Sequence, residues 1–447
     1  MFDIKNLGEC RYESPLKKFF SHNFVNDHER VLYDTRVEDS KLVPQTEHAI
    51  HISKDQADPD GAIRDLPASI ELAGPRSKVF FDSSKTRAAI VTCGGLCPGL
   101  NNVIRALTLA LYYRYGVHDV LGIRYGYAGF IEKDFAPIKL SNKSVENIHL
   151  VPGTILGSSR GIFETKDIFN SIEKNKINLL FCIGGDGTLR GARDIALFSM
   201  LRGYPLAVVG IPKTIDNDIS YISRSFGFQT AVQTATQAIT SAHTEAKGYY
   251  NGVGLVKLMG RNSGFIASET ALAVNDANFV LVPEVDFDLG GKKGFLSCLF
   301  SRLEDRHHAV IIVAEGAGQQ LFDKEQLGFD ASGNRKLGDI GDLLKSEIRK
   351  FGYENKIPCQ IKYIDPSYMI RSTVANSNDA IYCIQLAQNA VHAAMAGKTN
   401  LLIGHIHEKF THLPIETGVS RRKQVSPDSS LWMTVLEATG QPTRMKN

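Results

Sequence analysis

The sequence predicts an α/β fold built on mostly parallel sheet. Three observations point there. Short aliphatic or β-branched runs recur along the chain and end in glycine. Each is followed by a stretch with helical periodicity, the grammar of βαβ units. The runs are continuous rather than alternating, as strands buried on both faces should be. Glycine is abundant, 39 residues against 16 prolines, and much of it sits where such strands end. In open α/β sheets ligands gather at those carboxyl ends.

Bulk properties narrow the function. At about 150 residues per domain, 447 residues suggest roughly three folding units. With 43% hydrophobic and 22% charged residues, the chain can build a large core and is not wholly disordered. A net charge of +3 provides no basic field for nucleic acid. No apolar run approaches the ~18 residues of a membrane span. The opening MFDIKNLGECRYESPLKKFF lacks a signal-peptide pattern, and the closing RMKN carries no organelle address. Seven scattered cysteines without a CxxC pair suit reduced thiols and a cytoplasmic location. Cys93 and Cys97 have no second pair at zinc spacing, so small buried thiols are expected.

Residues 1–86 are polar, with scattered prolines and a turn-rich stretch around Asp55, Asp58 and Asp60. They read as an extension that wraps a core or a neighbouring subunit, or as partly disordered chain. Strand and helix then alternate. Ala88–Val91 leads to a helix over Asn101–Tyr112, and Ile177–Ile183 to a helix from Leu189. Leu206–Ile211 ends at Pro212, and Val253–Leu258 leads to a helix from Ser263. Phe279–Val282 and Ala309–Val313 complete the strands. The polar segment Gln319–Gly341 interrupts the pattern as a surface insertion before a helix over Asp342–Lys350.

The strand ends carry the chemistry. Thr92 to Asn101 form a glycine-rich turn that opens a helix, fit for a phosphate or for tight packing alike, but neither GxGxxG nor GxxxxGK[ST]. Gly184-Gly185-Asp186-Gly187-Thr188 places an acid inside a phosphate-type loop. A carboxylate there repels a phosphate unless a cation intervenes, so Asp186 reads as a Mg²⁺ ligand. The plainer reading is a turn with an Asx cap. Pro212 to Asp218 follow a buried strand with a lysine and two aspartates, making Asp216 a candidate general base or a capping aspartate. Met259-Gly260-Arg261 adds a guanidinium suited to phosphate oxygens. Glu315-Gly316 and Tyr368-Met369-Ile370-Arg371 add an acid and a base at strand ends. Together they suggest a sugar phosphate held by Arg and Glu opposite a Mg-nucleotide.

These motifs, in this order, resemble the 6-phosphofructokinase family. GGxxPGxN, PGTxxGSSR, GGDGT, PKTIDND, MGR, PEV, EG and YxxR all occur, across about residues 87 to 425. The resemblance implies two interleaved three-layer α/β/α domains with mostly parallel sheets, plus an irregular N-terminal extension. Residues 1–86 would be the extension. Residues 87–227, with 375–424 returning, would bind nucleotide. Residues 228–374, with 425–447 returning, would bind the sugar phosphate. The implied reaction is ATP-dependent phosphorylation of D-fructose 6-phosphate at its 1-hydroxyl, giving fructose 1,6-bisphosphate in glycolysis. Mg²⁺ would be the cofactor and ATP the co-substrate. Gly94, Gly95, Arg160, Gly161, Gly185, Asp186, Gly187 and Thr188 would bind ATP, with Asp186 at the metal. Asp216 would be the base, with Arg160 and Lys213 completing the catalytic set. Thr214, Ile215, Asp216, Met259, Gly260, Arg261, Glu315, Tyr368, Met369, Ile370 and Arg371 would hold the sugar phosphate. A homo-oligomer, tetramer or dimer, is implied, with no nucleic-acid or membrane partner.

Some positions depart from the family pattern. Pyrophosphate-using members have Asp where Gly187 stands, which would fill the α-phosphate space; Gly187 therefore points to ATP. Lys213 resembles pyrophosphate users, and the Gly-plus-Lys combination resembles an ATP-dependent clade with an N-terminal extension. Leu96 replaces an aspartate of many bacterial members. Gly252 and Lys362 stand where bacterial tetramers lend arginines to a neighbour. Segment Gln319–Gly341 resembles an effector-linked insertion of that clade. The alternatives are a pyrophosphate-dependent enzyme, an NAD or lipid kinase sharing the GGDGT loop, and a non-catalytic sugar-phosphate sensor.

Overall fold

The computed structural model describes residues 2–33, 68–161, 163–323, 327–329 and 335–447. The Asp55–Asp60 turn and part of the 319–341 insertion lie outside them. The chain forms two compact units. Unit 1 comprises Met1–Lys213, Ile219–Phe226 and Ala380–Arg421; unit 2 comprises Thr214–Asp218, Gly227–Asp379 and Arg422–Asn447.

Unit 1 is organised by a nine-stranded sheet. Its middle strands run parallel in the order Asp119–Ile123, Arg87–Thr92, Leu179–Gly184, Ala207–Pro212 and Leu401–Ile406. Antiparallel strands flank them: Ile138–Leu140 on one side, and Lys409–Pro414, Ala68–Leu72 and Arg30–Tyr33 on the other. Residues of both parities in Arg87–Thr92 and Leu179–Gly184 are buried, which accounts for their continuous apolar sequence. Ala89, Val91, Leu180, Cys182 and Val208 share one core with Ile168, Ile172, Leu189, Ile195 and Ala196 of the helices Thr165–Lys174 and Asp186–Leu201.

Unit 2 has an all-parallel sheet ordered Phe279–Leu281, His308–Ala314, Gly252–Leu258, Gln360–Ile364. One face packs Val253, Leu255, Ile311 and Val313 against the helices Phe295–Arg306 and Ile340–Glu354. The other lies under the helix Phe228–Lys247. That helix sits so close that a Cβ on Gly252 would come within 2.0 Å of the Ala246 carbonyl oxygen. No arginine fits position 252. Lys362 pairs with Glu245 at 3.3 Å and lies over the Tyr249 ring, so it is engaged within its own unit.

The described part of residues 1–86 supplies edge strands to the sheet of unit 1. Residues 214–218, 227, 375–379 and 422–424 group with unit 2. Two expected helices are corrected. The helix read over Asn101–Tyr112 is α-helical over Leu100–Leu109 and continues as a π-helical turn, Ala110–Tyr115. The helix expected from Leu189 begins at Asp186. Glycines weaken a helix interior, but in a first turn the cost is offset where an acid faces the helix dipole.

The N-terminal strands are fastened by charge as well as by pairing. Glu71 Oε1 accepts from Arg76 at 2.9 Å, Lys398 at 2.8 Å and His412 Nδ1 at 2.8 Å, all in the interior. Arg76 and Lys398 also reach Asp27, at 2.9 and 3.0 Å. Burial opposes ionisation of Glu71, yet the bond to His412 and the Lys398 ammonium bring its pKa down to about 2. Burial pushes His412 down, favouring its neutral ring. Removing one partner from a buried ionic cluster strands the others. Glu71→Gln is therefore expected to cost about 3–5 kcal/mol, read as a lower denaturant midpoint at neutral pH. A depressed carboxylate contributes stability that is present above its ordinary value and lost as pH falls toward 2. The variant should accordingly lose less stability than wild type on acidification below about pH 4.5.

Candidate active site

In unit 1 three loops meet at the carboxyl ends of adjacent parallel strands. The first, after Arg87–Thr92, holds Gly94 and Gly95. Gly94 N–H donates to the Ser159 carbonyl at 3.1 Å, and Ser158 Oγ donates to the Gly94 carbonyl at 2.6 Å. This locks it to the second loop, residues 151–161. Asn101 braces that loop by donating to Val151 O and accepting from Ile155 N–H, both at 2.9 Å. Arg160 and Gly161 at its end are exposed.

The third loop is the Gly-Gly-Asp-Gly-Thr turn. Because the helix starts at Asp186, the turn is the helix N-terminus itself, where backbone N–H groups lack intrahelical partners and attract anions. Asp186 is partly exposed, Gly187 exposed and Thr188 buried. The buried Tyr127 hydroxyl donates to the Thr188 carbonyl at 2.7 Å and sets the height of this turn. A Cβ on Gly187 would meet nothing within 4 Å, and its φ is not left-handed. Neither packing nor backbone conformation asks for glycine there.

Lys213 ties the loops together. Its N–H donates to Gly184 O at 3.0 Å and its Nζ to Gly95 O at 2.7 Å, and the residue is 6% exposed. Among the described residues, no group of three or more His, Cys, Asp or Glu side chains is arranged to hold a metal. Mg²⁺ takes one or two carboxylates and completes its shell with water and substrate phosphates, so Asp186 could serve it without such a group.

In unit 2 the loop Thr214–Asp218 carries the candidate base. Thr214 Oγ1 donates to Asp218 Oδ1 at 2.6 Å and accepts from Asp216 N–H at 3.2 Å. Ser263 Oγ donates to the Asp216 carbonyl at 3.0 Å, bringing the Met259-Gly260-Arg261 turn alongside. Gly316 N–H donates to Gly260 O at 3.1 Å, adding Glu315. Only glycine fits at 316, since a Cβ would lie 2.0 Å from the Arg261 carbonyl oxygen. Lys257 Nζ bridges Asp339 and Asp365 at 3.0 and 3.1 Å and so fixes the start of the Tyr368–Arg371 turn.

The electrostatics follow from this crowding. Burial, then Asp218 and Glu315, push the Asp216 pKa up to about 8; an Arg261 N–H and the Arg422 charge oppose the shift. Asp216 Oδ1 is buried without a hydrogen-bond partner. Burial also raises Glu315, with Asp365 adding and Arg261, Lys257 and Arg371 opposing. Arg261 donates to the Arg335 carbonyl, and Arg371 lies 4.6 Å over the Tyr368 ring. Acceptors for hydroxyls thus stand beside guanidinium groups for a phosphate.

The side chains of Ile370 and Ile215 are buried, at 0% and 7% exposed. Apolar side chains in a short turn went to the core, and only backbone remains at those positions. Tyr368 and Met369, in contrast, are exposed. Asn101, Asp218 and Glu284 stand within the GGxxPGxN, PKTIDND and PEV motifs, which gave them no individual place, whereas no motif marks Tyr127 or Arg422, the latter falling where the chain returns to unit 2.

Comparison with known proteins identifies the family. Residues 87–394 match the family model described as Phosphofructokinase. The chain is 45% identical to an ATP-dependent 6-phosphofructokinase of Borreliella burgdorferi, covering 100% of this chain and 98% of that one. It is 43% identical to that of Trypanosoma brucei brucei (98% and 86% covered) and 48% to a chloroplastic one of Arabidopsis thaliana (83% and 69%). Among solved structures, a pyrophosphate-dependent phosphofructokinase from Marinobacter aquaeolei superposes with TM-score 0.64 at 18% identity, covering 79% of this chain and 91% of that one. Phosphofructokinase from Saccharomyces cerevisiae gives 0.61 at 21%, covering 79% and 47%. These structural likenesses speak to fold alone. By the extent of the family match and the full-length identity to curated relatives, the chain belongs to the phosphofructokinase family.

Proposed function

We propose that this chain transfers the γ-phosphoryl group of ATP to the 1-hydroxyl of fructose 6-phosphate. The observation that carries the choice of donor is Gly187. The fold gains nothing from a glycine at this position, since a Cβ there would meet nothing and the backbone is not left-handed. The space it leaves, at a helix N-terminus, is room for a nucleotide phosphate. An aspartate there would set a carboxylate against that phosphate. Lys213, the feature shared with pyrophosphate users, is hydrogen-bonded inside unit 1 and so has a structural use. The relatives named ATP-dependent support the same donor.

On this reading Gly94, Gly95, Gly161 and Gly185–Thr188 cradle the nucleotide, and Asp186 holds Mg²⁺. The ion would neutralise phosphate charge. Arg160, exposed beside the loops, offsets charge on the transferring group. Arg261 and Arg371 take the 6-phosphate, with Arg261 exchanging the Arg335 carbonyl for phosphate oxygens. Glu315 accepts a sugar hydroxyl. Thr214, Met259, Gly260, Tyr368 and Met369 line the sugar, and Ile215 and Ile370 contribute backbone. Asp216 Oδ1, an unpartnered acceptor, takes the proton of the attacking hydroxyl. Its raised pKa strengthens it as a base once deprotonated. The free thiols of all seven cysteines suit a cytoplasmic setting.

Purified protein with Mg²⁺ and fructose 6-phosphate should yield bisphosphate from ATP; product from pyrophosphate alone would overturn the donor assignment. Gly187→Asp should raise KM for ATP at least tenfold while leaving sugar-phosphate binding and thermal stability near wild type, because an acid in the first turn suits the helix dipole. Asp216→Asn should lower kcat by roughly 10²–10⁴-fold with little change in KM for the sugar. Since only the carboxylate accepts a proton, kcat/KM should rise with pH through an apparent pKa near 8 in the free enzyme.

A further inference from the structure

We propose that Arg422 is a positioning residue for phosphoryl transfer: from the segment returning to unit 2, it holds Asp218 and thereby the loop that presents Asp216. The inference rests on Asp216 being the base proposed above.

The geometry comes from four consecutive residues. Arg422 Nη1 donates to Asp218 Oδ2 at 3.4 Å. Lys423 N–H donates to the Asp218 carbonyl at 2.9 Å. Gln424 Nε2 donates to the Asn262 carbonyl at 3.0 Å. Val425 N–H donates to Glu284 Oε1 at 2.7 Å, and the same oxygen accepts from Gly264 N–H at 2.9 Å. Residues 422–425 thus grip two loops at once: Thr214–Asp218, and the turn after Arg261. Those loops meet where Ser263 Oγ reaches the Asp216 carbonyl. Asp218 in turn receives the Thr214 hydroxyl that accepts the Asp216 N–H. A chain of hydrogen bonds therefore runs from the Arg422 guanidinium to the backbone of the base.

Arg422 also acts through its charge. The groups bearing on Asp216 are Asp218 and Glu315, which favour its protonated form, and the Arg261 N–H and Arg422, which favour the carboxylate. Asp218 and Arg422 pull in opposite directions from the two ends of one ion pair. Glu284, also buried, extends the strap but titrates apart from Asp216.

The test is steady-state kinetics of wild type, Arg422→Gln, Arg422→Lys and Asp218→Asn between about pH 6 and 9.5, across the raised base. Arg422→Gln keeps the backbone bonds of Lys423 and Val425, so the strap stays closed. It should lower kcat roughly 10- to 100-fold with KM for both substrates within about twofold, the mark of a displaced reacting group. The acid limb of its kcat/KM profile should move to higher pH. Arg422→Lys should keep the limb near its wild-type position and recover part of kcat. Asp218→Asn should move the limb to lower pH. Wild-type kcat and an unshifted limb in Arg422→Gln would overturn the proposal, as would limbs moving the same way in Arg422→Gln and Asp218→Asn. A wild-type protein that forms no bisphosphate would remove the base assignment itself, and this inference with it.

Discussion

The buried ammonium of Lys213 is the contact on which the nucleotide-side geometry rests. A charge in the interior is costly unless it is hydrogen-bonded, and here the Gly95 carbonyl takes it at 2.7 Å. The same residue's N–H continues the ladder to Gly184. One side chain and one peptide thereby register two glycine-rich loops from neighbouring strands, while the Ser158 hydroxyl registers the third. The loops would otherwise be free to drift, since glycine imposes little on its own backbone. Positioning dominates phosphoryl transfer, so a fixed spacing among loops matters more than any single contact to a ligand.

Unit 2 solves a different problem. It must keep a carboxylate basic without letting it pair permanently with a cation. Asp216 sits among Asp218 and Glu315, and the nearby cations spend their bonds elsewhere: Arg422 on Asp218, Arg261 on a carbonyl, Lys257 on Asp339 and Asp365. The outcome is a raised pKa and one empty lone-pair direction on Oδ1. Such an arrangement opposes folding stability increasingly as pH rises from the ordinary carboxyl value of 3.8. Neutral Asp216 supports the fold below its ordinary value, and that support is lost as pH rises through about 8.

Much of this was legible in the sequence because parallel strands write themselves as apolar runs, and because phosphate loops need glycine at their ends. Leu179–Gly184, Ala207–Pro212 and His308–Ala314 were visible for that reason, as were the Gly184–Thr188 and Thr214–Asp218 loops. The edge strands Arg30–Tyr33 and Ala68–Leu72 were not. They are short and antiparallel, and the buried cluster that fastens them draws two of its members, Lys398 and His412, from over three hundred residues away in sequence. Helix starts shifted where glycine propensity gave way to an acid at a helix dipole. The inward turn of Ile370 and the strap at residues 422–425 depend on tertiary partners, which no local pattern encodes.

The cluster around Glu71 has a bearing on what counts as a unit of inheritance in this molecule. The stretch that matches the family model begins at residue 87. Yet Lys398, and His412 of the nine-stranded sheet, find their anionic partner at Glu71, and the lysine a second one at Asp27. A chain that lacked only residues 1–86 would leave the Lys398 ammonium without the two carboxylates that meet it. The family domain thus begins at residue 87, while the charges that hold the fold together reach further toward the N-terminus. Once an appendage has exchanged a salt bridge with the core, it is no longer an appendage, and its later loss would first require the core lysine to change.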